Sequence, residues 1–150
     1  MNRTTFLRTS LLALTVTLFS GCAMHAHGDR PGHDSGMAPS VVFQVSDNDP
    51  AKWNLALNNA KNVQNSMGAD KVKVEIVAFG PGINMLKADS VTAARVTEAS
   101  KAGVQVVACQ NTMQAQKLTE ADMNSSVGYV PSGVVEIMTQ QRRGASYIRP

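Results

Sequence analysis

The 150-residue sequence predicts an α/β fold, a single three-layer domain with a mostly parallel five-stranded sheet flanked by helices. Strand-like and helix-like apolar patterns alternate five times after residue 40, which is typical of parallel sheets with right-handed crossovers. The run at 104–108 (VQVVA) is almost wholly apolar, as expected for a central strand that helices cover on both faces. The stretch 40–150 has about 110 residues, enough for one domain with one core.

The first half of the domain is predicted to contain two strands and a helix. Residues 41–45 (VVFQV) suit a first strand, and Pro50 suits the first position of a helix because acidic and amide capping residues precede it. This helix ends at Gly68, and residues 71–79 (KVKVEIVAF) form the second strand. The apolar residues of the helix recur at helical spacing, and they are Trp53, Ala56, Leu57, Ala60, Val63 and Met67.

The second half continues the alternation. A helix is predicted over 92–102 because Gly103 follows it in the position that favours glycine. Residues 127–130 form a brief strand, and Pro131 then opens a helix that ends at two arginines and a glycine. Residues 147–149 are expected to add an edge strand, which completes the five.

A lone cysteine comes at the end of the apolar strand. Open α/β sheets keep their ligand crevices at the carboxyl ends of their strands, so Cys109 is the candidate catalytic residue. Asn111 or Thr112 is expected to cap a helix that runs through Ala115 and Leu118, which places the thiol beside a helix N-terminus and favours the thiolate. The alternative is an inert packing group, since free cysteine is among the most often buried residues.

Two further features belong to the same edge of the sheet. Asn111 and Thr112 are candidate binding residues because their side chains can donate hydrogen bonds to sulfur, although both suit a simple capping role equally well. Gly80 and Gly82 form a sharp turn after the second strand, and the backbone N–H groups of such a turn can bind an anion or line a pocket. The alternative is a turn that needs glycine only for its positive φ.

The first 21 residues are predicted to be a signal peptide. Arg3 and Arg8 precede an apolar stretch at 11–19 that is too short to span a bilayer. Residues 18–22 (LFSGC) resemble a bacterial lipobox, which makes Cys22 the expected lipidation site. The following Ala23 favours the outer membrane, so the protein is expected to be a periplasmic, outer-membrane lipoprotein. The alternative is conventional secretory cleavage near Ala23 or Ala26, and either cleavage implies export.

Residues 22–39 are predicted to form a flexible tether, because glycine and proline interrupt any periodicity. The tether contains every histidine of the protein, His25, His27 and His33. Imidazole is a good ligand for copper or nickel, but no fixed ligand spacing is present, and a solvated linker is the favoured interpretation. A lipidated Cys22 cannot form a disulfide, so Cys109 is expected to be unpaired.

Charge and motif content exclude several function classes. Loss of residues 1–21 removes two arginines, so the basic count falls from 14 to 12 against 11 acidic residues, a net charge near +1. No basic stripe interleaved with aromatic residues is present, so no nucleic-acid partner is expected. The segment 40–150 contains no histidine, which excludes a Cys-His pair or a histidine-based zinc site within it. No nucleotide-binding glycine motif follows a strand, and no cofactor is expected.

Four segments carry a resemblance to a known family: VVFQVSDNDPAKWNLALNNAKN, VAFGPGINML, GVQVVACQNTM and GYVPSGVVEIMTQQRRGASYIRP. With these segments the domain at 40–150 resembles the DsrE/DsrF-like family, small α/β proteins associated with sulfur relay. The resemblance implies a parallel five-stranded sheet and homo-oligomers, often trimers or hexamers. In some members a cysteine carries persulfide sulfur, and Cys109 matches that cysteine by position.

These observations lead to two functional expectations. The first is an exported, lipid-anchored protein that binds or relays sulfur through a persulfide on Cys109, with a sulfur donor or acceptor protein as partner. It would contact the membrane only through the lipid. The second is a non-catalytic oligomeric binding or assembly module of the cell envelope, in which Cys109 is a packing residue and the tether has a possible role in metal binding.

Overall fold

The computed structural model describes residues 38–150. The predicted signal peptide at 1–21, the lipidation site Cys22 and the three histidines of the tether lie outside the described residues. Within 38–150, no helix is both long enough and apolar enough to cross a membrane.

The domain is built on a five-stranded sheet in the order β4-β3-β2-β1-β5, and every pair of neighbouring strands is parallel. The strands are β1 (Ser40–Val45), β2 (Lys73–Ala78), β3 (Gln105–Cys109), β4 (Gly128–Val130) and β5 (Ser146–Ile148). The α-helices are α1 (Pro50–Met67), α2 (Ala93–Lys101), α3 (Gln110–Ala115) and α4 (Gly133–Arg142). Two 3-10 helices span Gly80–Leu86 and Glu120–Asp122. The predicted α/β fold class is confirmed, and the sheet is wholly parallel.

The strand order decides which face of the sheet each helix covers. The chain steps from β1 to β4 in one direction, so right-handed crossovers place α1, α2 and α3 on one face. The return from β4 to β5 crosses the sheet in the opposite direction and places α4 on the other face. One face therefore carries three helices and the other carries a single helix.

The core is unequal on the two faces. On the three-helix face, Phe43 and Ile76 are fully buried, and Trp53 packs with them while its Nε1 donates a hydrogen bond to the Asp47 carbonyl at 2.7 Å. The α4 face has a smaller cluster around Val42 and Ile137. About half of the surface of Val134, Val135 and Met138 on α4 remains exposed.

The signals predicted at the ends of α1 are confirmed. The Asp49 carboxylate accepts a hydrogen bond from the Ala51 N–H at 2.8 Å, and Pro50 occupies the first turn. At the other end Gly68 has a φ of 93°, and its N–H donates to the Gln64 carbonyl. Because both ends are satisfied locally, the bounds of this helix follow from its own sequence.

The structure differs from the predicted elements mainly in the segments that connect the strands. The turn at 80–82 continues as a 3-10 helix to Leu86, and the second strand covers 73–78 rather than 71–79. Helix α3 ends at Ala115 and does not reach Leu118, because Lys117 adopts a positive φ of 57° and the Leu118 N–H turns back to the Met113 carbonyl.

Candidate functional site

Cys109 is the last residue of β3 and the N-cap residue of α3. Its neighbour in the register is Val130 of β4, and strand alternation places its side chain with Val107 on the face that α4 covers. The side chain is 5% exposed and its thiol is free. The predicted unpaired cysteine thus lies at the carboxyl end of a central strand, between the starts of two helices.

Polar groups at the starts of α3 and α4 surround the Cys109 sulfur. Burial by itself raises the pKa of the thiol, but donors from three residues outweigh burial and lower the pKa overall. The donors are the Thr112 hydroxyl and the backbone N–H groups of Gly133, Thr112 and Asn111. None of these donors is a charged side chain, so oriented amides and a hydroxyl stabilise the thiolate.

Asn111 and Thr112 do not cap α3 in the way the sequence predicted. The helix begins one residue earlier, at Gln110, with Cys109 itself at the N-cap position. The two residues therefore occupy the first turn, where backbone N–H groups have no partner within the helix. The Asn111 N–H donates to the Pro131 carbonyl at 3.2 Å, which ties the start of α3 to the turn before α4. The side chain of Thr112 is half-buried beside the thiol, whereas that of Asn111 is exposed.

Thr112 connects the sulfur to the turn after β2. Its Oγ1 accepts a hydrogen bond from the Gly80 N–H at 3.0 Å, while its hydroxyl hydrogen remains available to the thiolate. Gly80 has a φ of 53°, and its carbonyl accepts from the Gln116 side chain at 3.1 Å. The structure thus brings Gly80 to the Cys109 site through Thr112, and the Gly80 N–H is already engaged.

Gly82 has a packing role at the same edge. Its N–H donates to the Ser46 carbonyl at 3.2 Å and to the Phe79 carbonyl at 3.1 Å. A Cβ at this position would lie 2.4 Å from the Val45 carbonyl oxygen. Glycine is required here because the backbone of the 3-10 helix approaches the end of β1 closely.

Gly133 is a residue of the site that sequence reasoning missed. It is the first residue of α4, and its N–H lies near enough to the Cys109 sulfur to lower the pKa of the thiol. A Cβ there would lie 3.0 Å from the Phe79 ring, so a small residue lets α4 approach the thiol. The sequence did signal a helix start at Pro131 and Ser132. It did not show that β4 lies beside β3, which is what brings this helix start over Cys109.

Metal ligands are not grouped in the described part of the chain. Between residues 38 and 150, no three histidine, cysteine, aspartate or glutamate side chains come together as a metal site. The weak candidates His25, His27 and His33 lie outside this range.

Removing the Thr112 hydroxyl tests its effect on the thiol. In Thr112→Val, the loss of the side-chain donor is expected to raise the pKa of Cys109 and to slow alkylation at neutral pH severalfold. The measurement is the alkylation rate against pH, read by intact mass. Thr139→Val, on the partly exposed side of α4, is the matched control. An unchanged pH profile in Thr112→Val would contradict the assigned hydrogen bond.

Comparisons with known proteins agree with this architecture. The family model of DsrE/DsrF-like proteins matches residues 40–150. No curated protein matches the chain. Among solved structures, the chain is similar to the protein of unknown function MTH1491 from Methanobacterium thermoautotrophicum, with 34% identity and a TM-score of 0.71. That match covers 75% of this chain and 99% of the other.

A second similar structure is the conserved protein of unknown function BT1422 from Bacteroides thetaiotaomicron. It has 12% identity and a TM-score of 0.61, and the match covers 74% of this chain and 94% of the other. At this identity the likeness concerns the fold alone. The family match spans the whole described domain except its first two residues, and the chain therefore belongs to the DsrE/DsrF-like family.

Proposed function

We propose that this protein binds or relays sulfane sulfur through a persulfide on Cys109. The observation that carries the proposal is a free thiol whose pKa is lowered by polar groups at the starts of two helices. Family membership supports a function of the sulfur-relay type at the level of the family. The persulfide and its carrier residue are our proposal for this chain.

The proposed step is a transfer of one sulfur atom. The Cys109 thiolate attacks the outer sulfur of a donor hydropersulfide, and a new S–S bond forms as the donor's S–S bond breaks. The donor leaves as a thiolate, and Cys109 holds a hydropersulfide. No external oxidant is needed, because the sulfane sulfur only changes partner.

The surroundings of Cys109 suit both the attack by the thiolate and the storage of the persulfide. The polar groups of Thr112 and Gly133 that lower the pKa of Cys109 favour the attacking thiolate, and the same groups can stabilise a persulfide anion. The sulfur is largely buried, which shields a bound persulfide from other thiols. The Asn111 side chain, two residues along the chain from Cys109, is exposed and is available to a sulfur donor.

Substitution of the sulfur itself tests the proposal. The wild-type protein, treated with inorganic polysulfide and freed of excess reagent, is expected to gain the mass of one sulfur atom. This gain should disappear with a reducing agent. Cys109→Ser should show no gain, since a hydroxyl does not form a persulfide. Cys22→Ser is the matched control because it removes the other cysteine. Equal loading of Cys109→Ser would overturn the proposal.

We also propose that the protein is exported and anchored to the outer membrane by lipid on Cys22, with residues 22–39 as the tether. The support is the charge, length and lipobox pattern of the first 22 residues. Incorporation of labelled palmitate in a bacterial host should be abolished by Cys22→Ala. Unchanged incorporation in that variant would exclude this anchor.

A second candidate function is a homo-oligomeric assembly module, with a trimer or hexamer as the expected state. The exposed apolar residues of α4, together with the half-exposed Tyr147 of β5 on the same face, support it. Val135→Lys is expected to reduce the mass measured by analytical ultracentrifugation, whereas Val91→Lys, on an exposed loop, should not. If assembly alone is the function, Cys109→Ala retains the oligomer and the cellular phenotype.

A further inference from the structure

A groove lies between α1 and α2 on the three-helix face, apart from the Cys109 site. Its volume is about 340 Å³. Leu57 of α1, Ala99 of α2 and Val104 just before β3 contribute apolar side chains to its lining. Val104 precedes β3 and Cys109 is its last residue, so the two are roughly 16 Å apart at the usual rise of a strand. The groove is therefore a separate feature that the proposed sulfur chemistry does not use.

One wall of the groove is polar. Gln64 of α1 is 7% exposed, and its Nε2 donates a hydrogen bond to the Ala102 carbonyl at 2.9 Å. This bond joins α1 to the end of α2 across the inner end of the groove.

The guanidinium of Arg95 stands at the groove with its charge uncompensated. It donates hydrogen bonds to the side-chain oxygens of Asn54 and Asn58 on α1, which are neutral acceptors. No carboxylate in the described part of the chain lies within ion-pair distance of it. Guanidinium has five N–H donors, so three are left for another acceptor.

The other charges at the groove cancel. Lys61 and Glu98 face each other across it at 3.9 Å, and both side chains are largely exposed. Glu98 is placed one helical turn after Arg95 but pairs with Lys61 instead. The groove consequently combines a lining that is half apolar and half polar with a net positive charge supplied by Arg95.

We propose that this groove binds a small amphipathic monocarboxylate, such as a medium-chain fatty acid. The alkyl chain would lie along Leu57, Ala99 and Val104, and the carboxylate would receive hydrogen bonds from the free N–H groups of Arg95. Planar guanidinium matches a carboxylate in charge and geometry. The volume lies at the lower end of the range for small-molecule sites, which favours a short alkyl chain over a lipid with two chains.

The test is a titration of the full chain with hexanoate, followed by NMR chemical shifts, with hexylamine as the cationic probe of equal length. We expect saturable shifts at residues of α1 and α2 with hexanoate and no saturation with hexylamine. Arg95→Gln should weaken binding by about tenfold, the usual effect of losing a charge-assisted contact. Arg149→Gln, which removes a surface arginine from the end of the chain, should leave it unchanged.

A second variant tests the apolar lining. Ala99→Phe fills the groove and should abolish the saturable shifts, while a thermal melt verifies that the variant is folded. Non-saturable shifts, or equal hexanoate affinity in wild type and Arg95→Gln, would overturn the proposal. Cys109→Ser should bind hexanoate as wild type does, so this result is independent of sulfur transfer.

Discussion

Gly82→Ala is expected to destabilise the domain by about 3 kcal/mol, because the new methyl group has no space. Its Cβ would lie 2.4 Å from the Val45 carbonyl oxygen, 2.6 Å from the Val45 carbonyl carbon and 2.8 Å from the Ser46 nitrogen. All three atoms are backbone, and Val45 is held in register with Ala78 of the next strand. The clash cannot be relieved by a side-chain rotation.

The 3-10 helix at Gly80–Leu86 would have to move away from β1 instead. This movement would pull the Gly80 N–H from the Thr112 hydroxyl, which lies beside the thiol. Gly82→Ala should therefore alter Cys109 reactivity as well as stability. Two measurements, urea unfolding and the alkylation rate of Cys109 in the folded variant, separate these effects.

Gly128→Ala is the matched control in the same sheet. A Cβ at Gly128 would meet its nearest neighbour, the Val107 side chain, at 3.4 Å, an ordinary contact distance. Gly128→Ala should destabilise the domain by less than about 1 kcal/mol. If Gly82→Ala unfolds at the same urea concentration as wild type, the turn does not approach the end of β1 as closely as the structure indicates.

Glu75→Gln is expected to make the protein more stable at pH 8 and to remove part of its pH dependence. Glu75 lies in the middle of β2, is 7% exposed, and its Oε2 has no hydrogen-bond partner among the described residues. Burial, and to a smaller extent the nearby Glu136, raise the pKa of this carboxyl from 4.5 to about 7. Arg143 and Gln140, at the end of α4, lower the pKa, but by less than burial and Glu136 raise it.

The sign of the effect follows from proton binding. Between pH 4.5 and about 7 the folded state holds a proton on Glu75 that the unfolded chain has lost. The free energy of unfolding therefore falls as the pH rises through this window, and stays low above it. The size is on the order of 2 kcal/mol, below the limit that the full shift implies, because solvent reaches part of the site.

Urea unfolding at pH 5 and pH 8 measures this difference. Wild type should lose stability between the two, and Glu75→Gln should lose much less, since glutamine keeps the shape without the charge. The groups that face Glu75 are Glu136, Gln140 and Arg143 of α4, with Gln105 opposite it on β3. Glu98→Gln, at an exposed position, is the control. An equal loss in wild type and Glu75→Gln would show that Glu75 is ionised in the folded protein at low pH.

The burial of Glu75 could not be predicted from the sequence. The alternation of 71–79 places Lys73 and Glu75 on one face of a strand, where charged residues indicate exposure to solvent. In the fold, Lys73 at the start of β2 is exposed, but Glu75 is two residues further along this central strand and lies beneath α4. The path of α4 across the sheet depends on the jump from β4 to β5, which no local pattern encodes.

The sequence by itself determined the features that depend on neighbouring residues. The alternation of elements predicted the parallel α/β fold, and the Asp49–Pro50 start and the Gly68 end predicted α1, since capping involves residues only a few positions apart. The end of an apolar strand likewise placed Cys109 at the carboxyl edge of the sheet. Only the tertiary structure decided which groups surround the thiol. Gly80 and Gly133 lie 29 and 24 positions away along the chain, and the order of the strands brings them to the sulfur.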